Sequence, residues 1–536
     1  MKAVDDYIVK GIESSSYHMS EVSYDSVNEA LKRLKHEKAD GDRGFISSHL
    51  IYASKEYHRQ VAHLFTCMIS HGHHPDPLVV ATIISIPKDY REDLSRDDNY
   101  RGIALSNSLT KLLDLILLER NREQLTTSPL QFAFKKHTST SMCTLVMKEV
   151  IRHYMENKSD VYSCCMDASK AFDRLKHDKL FSLLIERQTN ILDLRILYRQ
   201  YRCQKIRTTW HGKNSDYFNA TNGIRQGSIA SPILFCVYLD KLLNRLHQEG
   251  IGCWMGNMFY GTLAYADDVT LLCPTASGLQ SMIDICENFG NQFGMKYNEK
   301  KTVCILYSRK CRPVAPLMQL SASTLKWVNC VKHLGNYVSN NLKETQEINN
   351  KRGDIIGRVN VIVGSLTGVN TSSQLKVLRS QCHFHGSEAW HLRDYSVKTF
   401  YSTVNRAIRR IMHLPFATHT RFLQPLSGLP LSKDSIANRF VKMHHKMLVS
   451  ENPHISFIAR RGQSCAHTII GTNLSLLSRQ YDIPVPNLLN VRLQSNALTE
   501  SDNSTVQAVK DTIQGLLPDF FTSEEIGELL TKLCQD

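Results

Sequence analysis

Apolar positions along this chain switch repeatedly between helical and strand spacing. Between Asp25 and Lys38, Val27, Ala30, Leu31 and Leu34 recur three and four apart with lysines between them, which predicts an amphipathic helix. Residues 1–20 are polar and predict no element. The β-branched run from Val79 to Ile86 predicts a strand that ends at Pro87-Lys88. A long apolar helix is expected from about Leu105 to Leu118, and another carries Val146, Val150 and Tyr154. An apolar run from Val161 to Met166 then ends in Asp167. Ser231-Pro232 opens a strongly apolar helix that runs through Leu246 and is closed by Gly250, with proline and glycine at the two ends that favour them. Ala264 to Leu272 reads as two apolar runs around a tight acidic tip, a β-hairpin pattern. Leu279, Met282, Cys286, Phe289 and Phe293 mark one helix face that should pack on a sheet. From about Asn340 the pattern is helical. Lys351, Arg352 and Arg358 form one basic segment; further on, Val397, Phe400, Tyr401, Val404, Ile408 and Ile411 make an apolar stripe that leaves Arg406, Arg409 and Arg410 on polar positions. The tail after Ser501 is acidic, with a helix expected to be capped at Thr522 and Glu525.

Composition narrows the classes of partner. A chain of 536 residues can bury a large core and form several subdomains. Its formal net charge of +14 gives a long-range attraction to polyanions. The 15 cysteines are scattered without a Cys-x-x-Cys pair, which reads as reduced thiols of an intracellular protein, nuclear or cytoplasmic and not secreted. No secretory leader pattern stands at the start, and no apolar run reaches the ~20 residues of a membrane span.

The candidate chemistry lies in carboxylates. Asp267 and Asp268 are adjacent on the predicted hairpin tip, where their repulsion is costly unless a cation neutralises it. A hard, all-oxygen site suits Mg²⁺. If the run ending in Asp167 pairs with this hairpin, three carboxylates meet at one point and could hold the two metals of a nucleotidyl-transfer site. His71, His73 and His74 also cluster, but without a cysteine or carboxylate at ligand spacing they read as a solvated loop.

In order along the chain, three motifs resemble the palm motifs of reverse transcriptases. They are Asp167-x-x-x-Ala171-Phe172-Asp173, Gly223-x-Arg225-Gln226-Gly227-x-x-x-Ser231-Pro232 and Tyr265-Ala266-Asp267-Asp268. Their wording is most similar to the polymerases of non-LTR (LINE-type) retrotransposons. The resemblance implies an α+β, right-hand polymerase with fingers, a palm of antiparallel sheet plus helices, and a helical thumb. It implies RNA-directed DNA synthesis from an RNA template, a DNA primer and deoxynucleoside triphosphates. Two Mg²⁺ ions, with Mn²⁺ as a possible substitute, would be held by the catalytic Asp167, Asp267 and Asp268. By the same resemblance, Lys88 and Arg101 of Asn99-Tyr100-Arg101-Gly102-Ile103 face the incoming triphosphate, and Phe172 is a sugar gate that excludes a 2′-hydroxyl. Gln226, Gly227 and Tyr265 lie at the nucleotide, and Lys301 of Asn298-x-x-Lys301-Thr302 is the candidate acid for the leaving pyrophosphate.

Further segments carry the resemblance over residues 20–430. Lys38 to Phe45 is similar to the family's loop before the fingers, with Asp42-Arg43-Gly44 departing from it slightly. Gln131-Phe132-Ala133-Phe134 has Ala133 where the family has glycine, a position at which positive φ is expected to strain alanine. Lys332-His333-Leu334-Gly335 is similar to the primer-grip hairpin, and Gly386-Ser387-Glu388-Ala389-Trp390 to the LINE-type thumb. The expected division is an N-terminal remnant at 1–20, fingers at 21–155, palm at 156–340, thumb at 341–430 and a C-terminal helical extension with an acidic tail at 431–536. So few residues before the fingers suggest a polymerase module without its endonuclease, dependent on a separate nuclease. Three alternatives stay open: a catalytically idle nucleic-acid-binding relic, a group II intron-type maturase, and an RNA polymerase, the last disfavoured by Phe172.

Overall fold

The computed structural model describes residues 2–494 apart from 15–19, 39–45, 91, 311–314 and 382–383. The loop around Asp42-Arg43-Gly44 and the acidic tail with its expected helix lie outside the described residues.

Five strands form the sheet on which the site is built, in the order Lys326–Trp327, Val303–Tyr307, Val161–Met166, Asp268–Cys273, Thr262–Tyr265. The middle three are antiparallel, with Cys165 set against Val303 on one side and Thr270 on the other. Alternate residues enter different cores. Val161, Leu263, Leu272, Ile305 and Tyr307 face one, while Cys164, Met166, Val269, Leu271 and Cys304 face the other. Both faces are covered, which is why these strands read as near-continuous apolar runs.

The second of these cores is filled by the helices Ser231–Gln248 and Ala276–Phe293. The expected stripe of Leu279, Met282, Cys286, Phe289 and Phe293 is buried there against the sheet. A helix absent from the sequence reading, Lys2–Ser14, joins the same core through Val4 and Ile8. Val4 and Ile8 are buried and Ile12 packs against the same core, a spacing of four that exposed Tyr7 and Val9 blur in the sequence. It is held to the helix Ile191–Arg202 in part by the Asp5–Arg202 ion pair.

A second sheet pairs Val80–Pro87 antiparallel with Tyr100–Ser106 and parallel with Lys205–Trp210. Beside it, Val27, Ala30, Leu31 and Phe65 pack with Leu112 and Leu113 in a separate core. The first helix here, Tyr24–Arg33, ends short of Lys38, with Leu34 already extended. The next departure is at Leu105, which lies in a strand: the helix runs from Ser108 to Arg120. The apolar run is continuous across that junction, so periodicity cannot place it. Asn107 does, its Oδ1 accepting from Leu109 N–H at 2.8 Å as an N-cap.

After the hairpin Cys330–His333/Asn336–Ser339 the chain is helical. Val397, Phe400, Val404, Ile408 and Ile411 are buried as expected. One core runs from the helix Thr140–Glu156 through these residues to Leu493, so the packing does not break at 430. Polar ties reinforce it: Tyr260 Oη donates to His454 O at 3.0 Å, and Ile470 N–H donates to Glu149 Oε1 at 2.8 Å. Arg352 of the basic segment and Arg409 beside the apolar stripe make internal contacts. Arg352 Nε donates to Thr403 Oγ1, and Arg409 donates to Thr418 O. Among the described residues, no helix is long and apolar enough to cross a membrane.

Candidate active site

Strand register brings the three aspartates together. Val269 pairs with Met166, so the next step of the antiparallel ladder sets Asp167 opposite Asp268. Asp268 itself pairs with Tyr265 across a two-residue turn made of Ala266 and Asp267. Because both faces of these strands are buried, a one-residue slip would turn apolar side chains the wrong way, and the register is strongly fixed. The electrostatics record the crowding. Loss of hydration is the main cause that raises the Asp267 carboxyl, with the charge of Asp167 adding to it and Arg101 opposing it. Asp268 is pushed up to about 6, first by loss of hydration and then by Asp267 and Asp167.

The turn is braced from outside the three motifs. Ala266 has φ 56°, a left-handed conformation that costs a non-glycine residue about 1–2 kcal/mol. The fully buried Gln131 holds both sides of that residue: Ala266 N–H donates to Gln131 Oε1 at 2.9 Å, and Gln131 Nε2 donates to Ala266 O at 3.3 Å. Phe132 N–H donates to Ala264 O at 2.8 Å, so this segment runs along the hairpin edge as an extra strand would. Asp167 is fixed by a different segment. Its N–H donates to Thr302 Oγ1 at 3.2 Å, and its carbonyl accepts from Asn298 N–H at 2.7 Å. Asn298 and Thr302 thus act on the backbone of Asp167, while Lys301 between them is exposed.

Other candidate residues surround the carboxylates. Half-buried Phe172 stacks on Phe235, centroids 4.4 Å apart and planes within 11°. Its carbonyl accepts from Ile224 N–H at 2.9 Å, which ties the Asn222–Ser228 loop to the helix turn that carries it. In that loop Gln226 O accepts from Ala104 N–H at 2.6 Å, and the Gln226 side chain hydrogen-bonds Asp173. Gly227 has φ 114°, and a Cβ there would lie 2.6 Å from Ala104 O, so only glycine fits. Arg101 is exposed and acts on Asp267. Lys88 is exposed, donates to Asp98 O at 2.7 Å and acts on Asp173. Tyr265 is half-buried at the end of the first hairpin strand.

Residues 86–338, the span that holds all of these carboxylates and loops, match the family described as reverse transcriptase (RNA-dependent DNA polymerase). This segment is a reverse transcriptase domain. The chain is 28% identical over 276 residues to the retrovirus-related Pol polyprotein from type-2 retrotransposable element R2DM of Drosophila melanogaster, covering 52% of this chain and 25% of that protein. It is 21% identical to the RNA-directed DNA polymerase from mobile element jockey of Drosophila funebris, over 82% of this chain and 49% of that one. The resemblance to non-LTR retrotransposon polymerases therefore stands, and the chain spans half or less of the length of these curated relatives. Among solved structures, apo telomerase from Candida tropicalis aligns over 81% of this chain and 74% of that one at 12% identity, with TM-score 0.38, too loose to argue from.

Two expectations from the sequence do not hold in the structure. Ala133 is not in the left-handed region, which is taken instead by Phe134 (φ 58°) and His137 (φ 60°), so alanine at 133 carries no such strain. His74 is not part of a solvated loop. It is buried beside Arg225, and loss of hydration lowers its imidazole to about 4. The braces Gln131, Asn298 and Thr302 were missed as functional residues; their one signal was their place inside motif-like segments quoted for other residues. Among the described residues no set of three or more His, Cys, Asp or Glu side chains forms a ready-made metal cage. Carboxylates that bind Mg²⁺ with substrate phosphates need not form one, because the phosphates complete the shell.

Proposed function

We propose that this protein is an RNA-directed DNA polymerase of the non-LTR retrotransposon type, extending a primer 3′-hydroxyl on an RNA template with deoxynucleoside triphosphates. The observation that carries this reading is the register that sets Asp167 opposite Asp268 beside Asp267, inside a reverse transcriptase domain. Asp167, Asp267 and Asp268 fit divalent cations: they are hard oxygen donors, and mutual repulsion and lost hydration already disfavour their bare charges at Asp267 and Asp268. Two Mg²⁺ ions, or Mn²⁺ in their place, would supply activation of the hydroxyl and neutralisation of the pyrophosphate.

The remaining work belongs to the chain's own residues, and it is mostly positioning. Arg101 and Lys88 supply positive charge toward the triphosphate. Phe172, held in place by its stack on Phe235, presents a ring where a 2′-hydroxyl would need room. Gln226 and the Cβ-free Gly227 let backbone approach the template–nucleotide pair. Tyr265 flanks the turn, and exposed Lys301 would donate a proton to the departing pyrophosphate. A separate endonuclease would provide the nicked DNA primer, and the compartment is intracellular.

Primer extension on an RNA template tests this, with Mg²⁺ or Mn²⁺ and either deoxynucleotides or ribonucleotides. Extension with deoxynucleotides alone is expected, and the Asp267→Ala/Asp268→Ala variant should lose it. A folded wild-type chain that binds primer–template yet extends nothing would replace the polymerase with a nucleic-acid-binding relic.

A further inference from the structure

Behind the Asn222–Ser228 loop lies a buried polar cluster that the proposed chemistry does not use. Asp114, 1% exposed in the helix Ser108–Arg120, accepts from Ser228 Oγ at 2.8 Å and from Gln200 Nε2 at 3.2 Å. Arg225, also buried, has two guanidinium nitrogens without a hydrogen-bond partner, and Asp114 is the leading opposite charge that acts on it. His74, buried beside Arg225, is kept neutral by lost hydration and by that guanidinium. These two loop residues, Arg225 and Ser228, flank Gln226 and Gly227. From the front, Ala104 N–H donates to Gln226 O, and Gly227 passes close against Ala104 O.

We infer that Asp114 and Arg225 are positioning residues: a charged bolt between the finger helix and the loop that fixes where Gln226 and Gly227 meet the nucleotide. The inference rests on the proposed role of that loop. A buried carboxylate and guanidinium are expensive to desolvate, and apolar residues of similar volume would hold the helix at least as well. What apolar packing would not supply is a directional hold on the loop at Ser228 together with a charge that favours the Arg225 guanidinium, which has no hydrogen bond at Nη1 or Nη2, on the other side of Gln226 and Gly227. Ser228 gives one hydrogen bond to Asp114, and Arg225 supplies the charge on the other side. With the bolt removed, Gln226 and Gly227 keep only their front contacts and their position spreads.

The test compares Asp114→Asn and Arg225→Lys with Asp193→Asn in the full chain. Asp193 is an equally buried carboxylate in the helix Ile191–Arg202, set against the far end of Ser108–Arg120, where it accepts from Arg120 Nε at 3.0 Å and Asn121 Nδ2 at 2.8 Å. Hydrogen–deuterium exchange of peptides covering 100–106 and 222–230 reads the bolt without any need for activity. Exchange in both peptides should speed up in the two bolt variants and stay unchanged in Asp193→Asn. In steady state, the bolt variants should raise the deoxynucleotide KM about tenfold with kcat within about twofold, the mark of lost ground-state positioning. Equal exchange and an unchanged KM in Asp114→Asn, with a melting temperature lowered as in Asp193→Asn, would reduce the cluster to fold stability. If the wild type extends no primer, the polymerase reading fails while the exchange comparison still decides the bolt.

Discussion

Asp268 shows what one residue gives up for a task. Its carboxyl titrates at about 6 because it has lost hydration and faces Asp267 and Asp167, so above that pH the folded chain holds a charge it disfavours. The sign follows from linkage. The folded state binds this proton more tightly than the unfolded chain, so the destabilising contribution is complete above about pH 6 and is lost as pH falls below the unfolded value of about 4. Without metal, Asp268→Asn should therefore raise the melting temperature at pH 7.5 and change it little at pH 4. Mg²⁺ or Mn²⁺ should act in the opposite direction with pH. At a hundredfold excess over its Kd a cation adds about 2.7 kcal/mol to wild-type stability, an effect that should shrink below pH 6 as protons compete, and vanish with chelator or in Asp268→Asn. Differential scanning calorimetry at three pH values checks both; a metal effect that persists in the variant would place the ion elsewhere. That Asp167, Asp267 and Asp268 come together was legible in the sequence, because short apolar runs bounded by these carboxylates predict strands that pair. Gln131 was not, since its partner Ala266 stands 135 positions away and nothing local in either residue announces the pair.

At the scale of elements, the hairpin that carries Asp267 and Asp268 is a strained turn held by a neighbouring strand-like segment. Type I′ and II′ hairpin turns demand positive φ at their first central position, where glycine, asparagine and aspartate are the usual residues. Ala266 occupies it at φ 56°, and Gln131 supplies the two hydrogen bonds that over-determine it. Replacing Gln131 with leucine keeps most of the volume but leaves the buried Ala266 N–H without its acceptor, at a cost of about 1–3 kcal/mol. The expected outcome is a lower unfolding midpoint in urea and a drop in kcat, with primer–template affinity unchanged, because the displaced turn carries Asp267. A kcat equal to wild type would show that the turn holds itself. The strands and most helices could be read from periodicity, and their junctions could not. Leu105 and Leu112 look alike in an unbroken apolar run, yet one is strand and the other helix, and the Asn107 cap between them sets the change. Val4 and Ile8 make the same point at the N-terminal helix, whose two buried positions acquire meaning only against a helix nearly two hundred residues later.

Across the whole molecule, one apolar core joins the helix beneath the palm sheet to every helix from Thr345 to Tyr481, so the orientation of the thumb is a property of that core. At its junction lies an ion pair, Lys148–Glu344, with Nζ to Oε1 at 3.0 Å and both side chains at most 3% exposed. Glu344 also accepts from His391 N–H at 2.9 Å, and Lys148 donates to Ala389 O at 3.3 Å, so the pair ties the helix Thr140–Glu156 to the start of the helical region after the Cys330–Ser339 hairpin and to its Trp390 segment. Removing one partner strands the other charge, and Lys148→Met should cost about 3–5 kcal/mol. Burial already raises the Glu344 carboxyl against the pull of Lys148. Without the lysine it rises further, so the loss should be greatest at pH 8 and smaller at pH 5, where Glu344 can take up a proton. Lys148→Met combined with Glu344→Gln keeps an acceptor for His391 N–H and leaves no unpaired charge, and should recover most of the loss at pH 8. Urea unfolding of the three proteins at both pH values measures this coupling. If the double variant is no better than the single one at pH 8, the pair holds the thumb through hydrogen-bond geometry and not through charge.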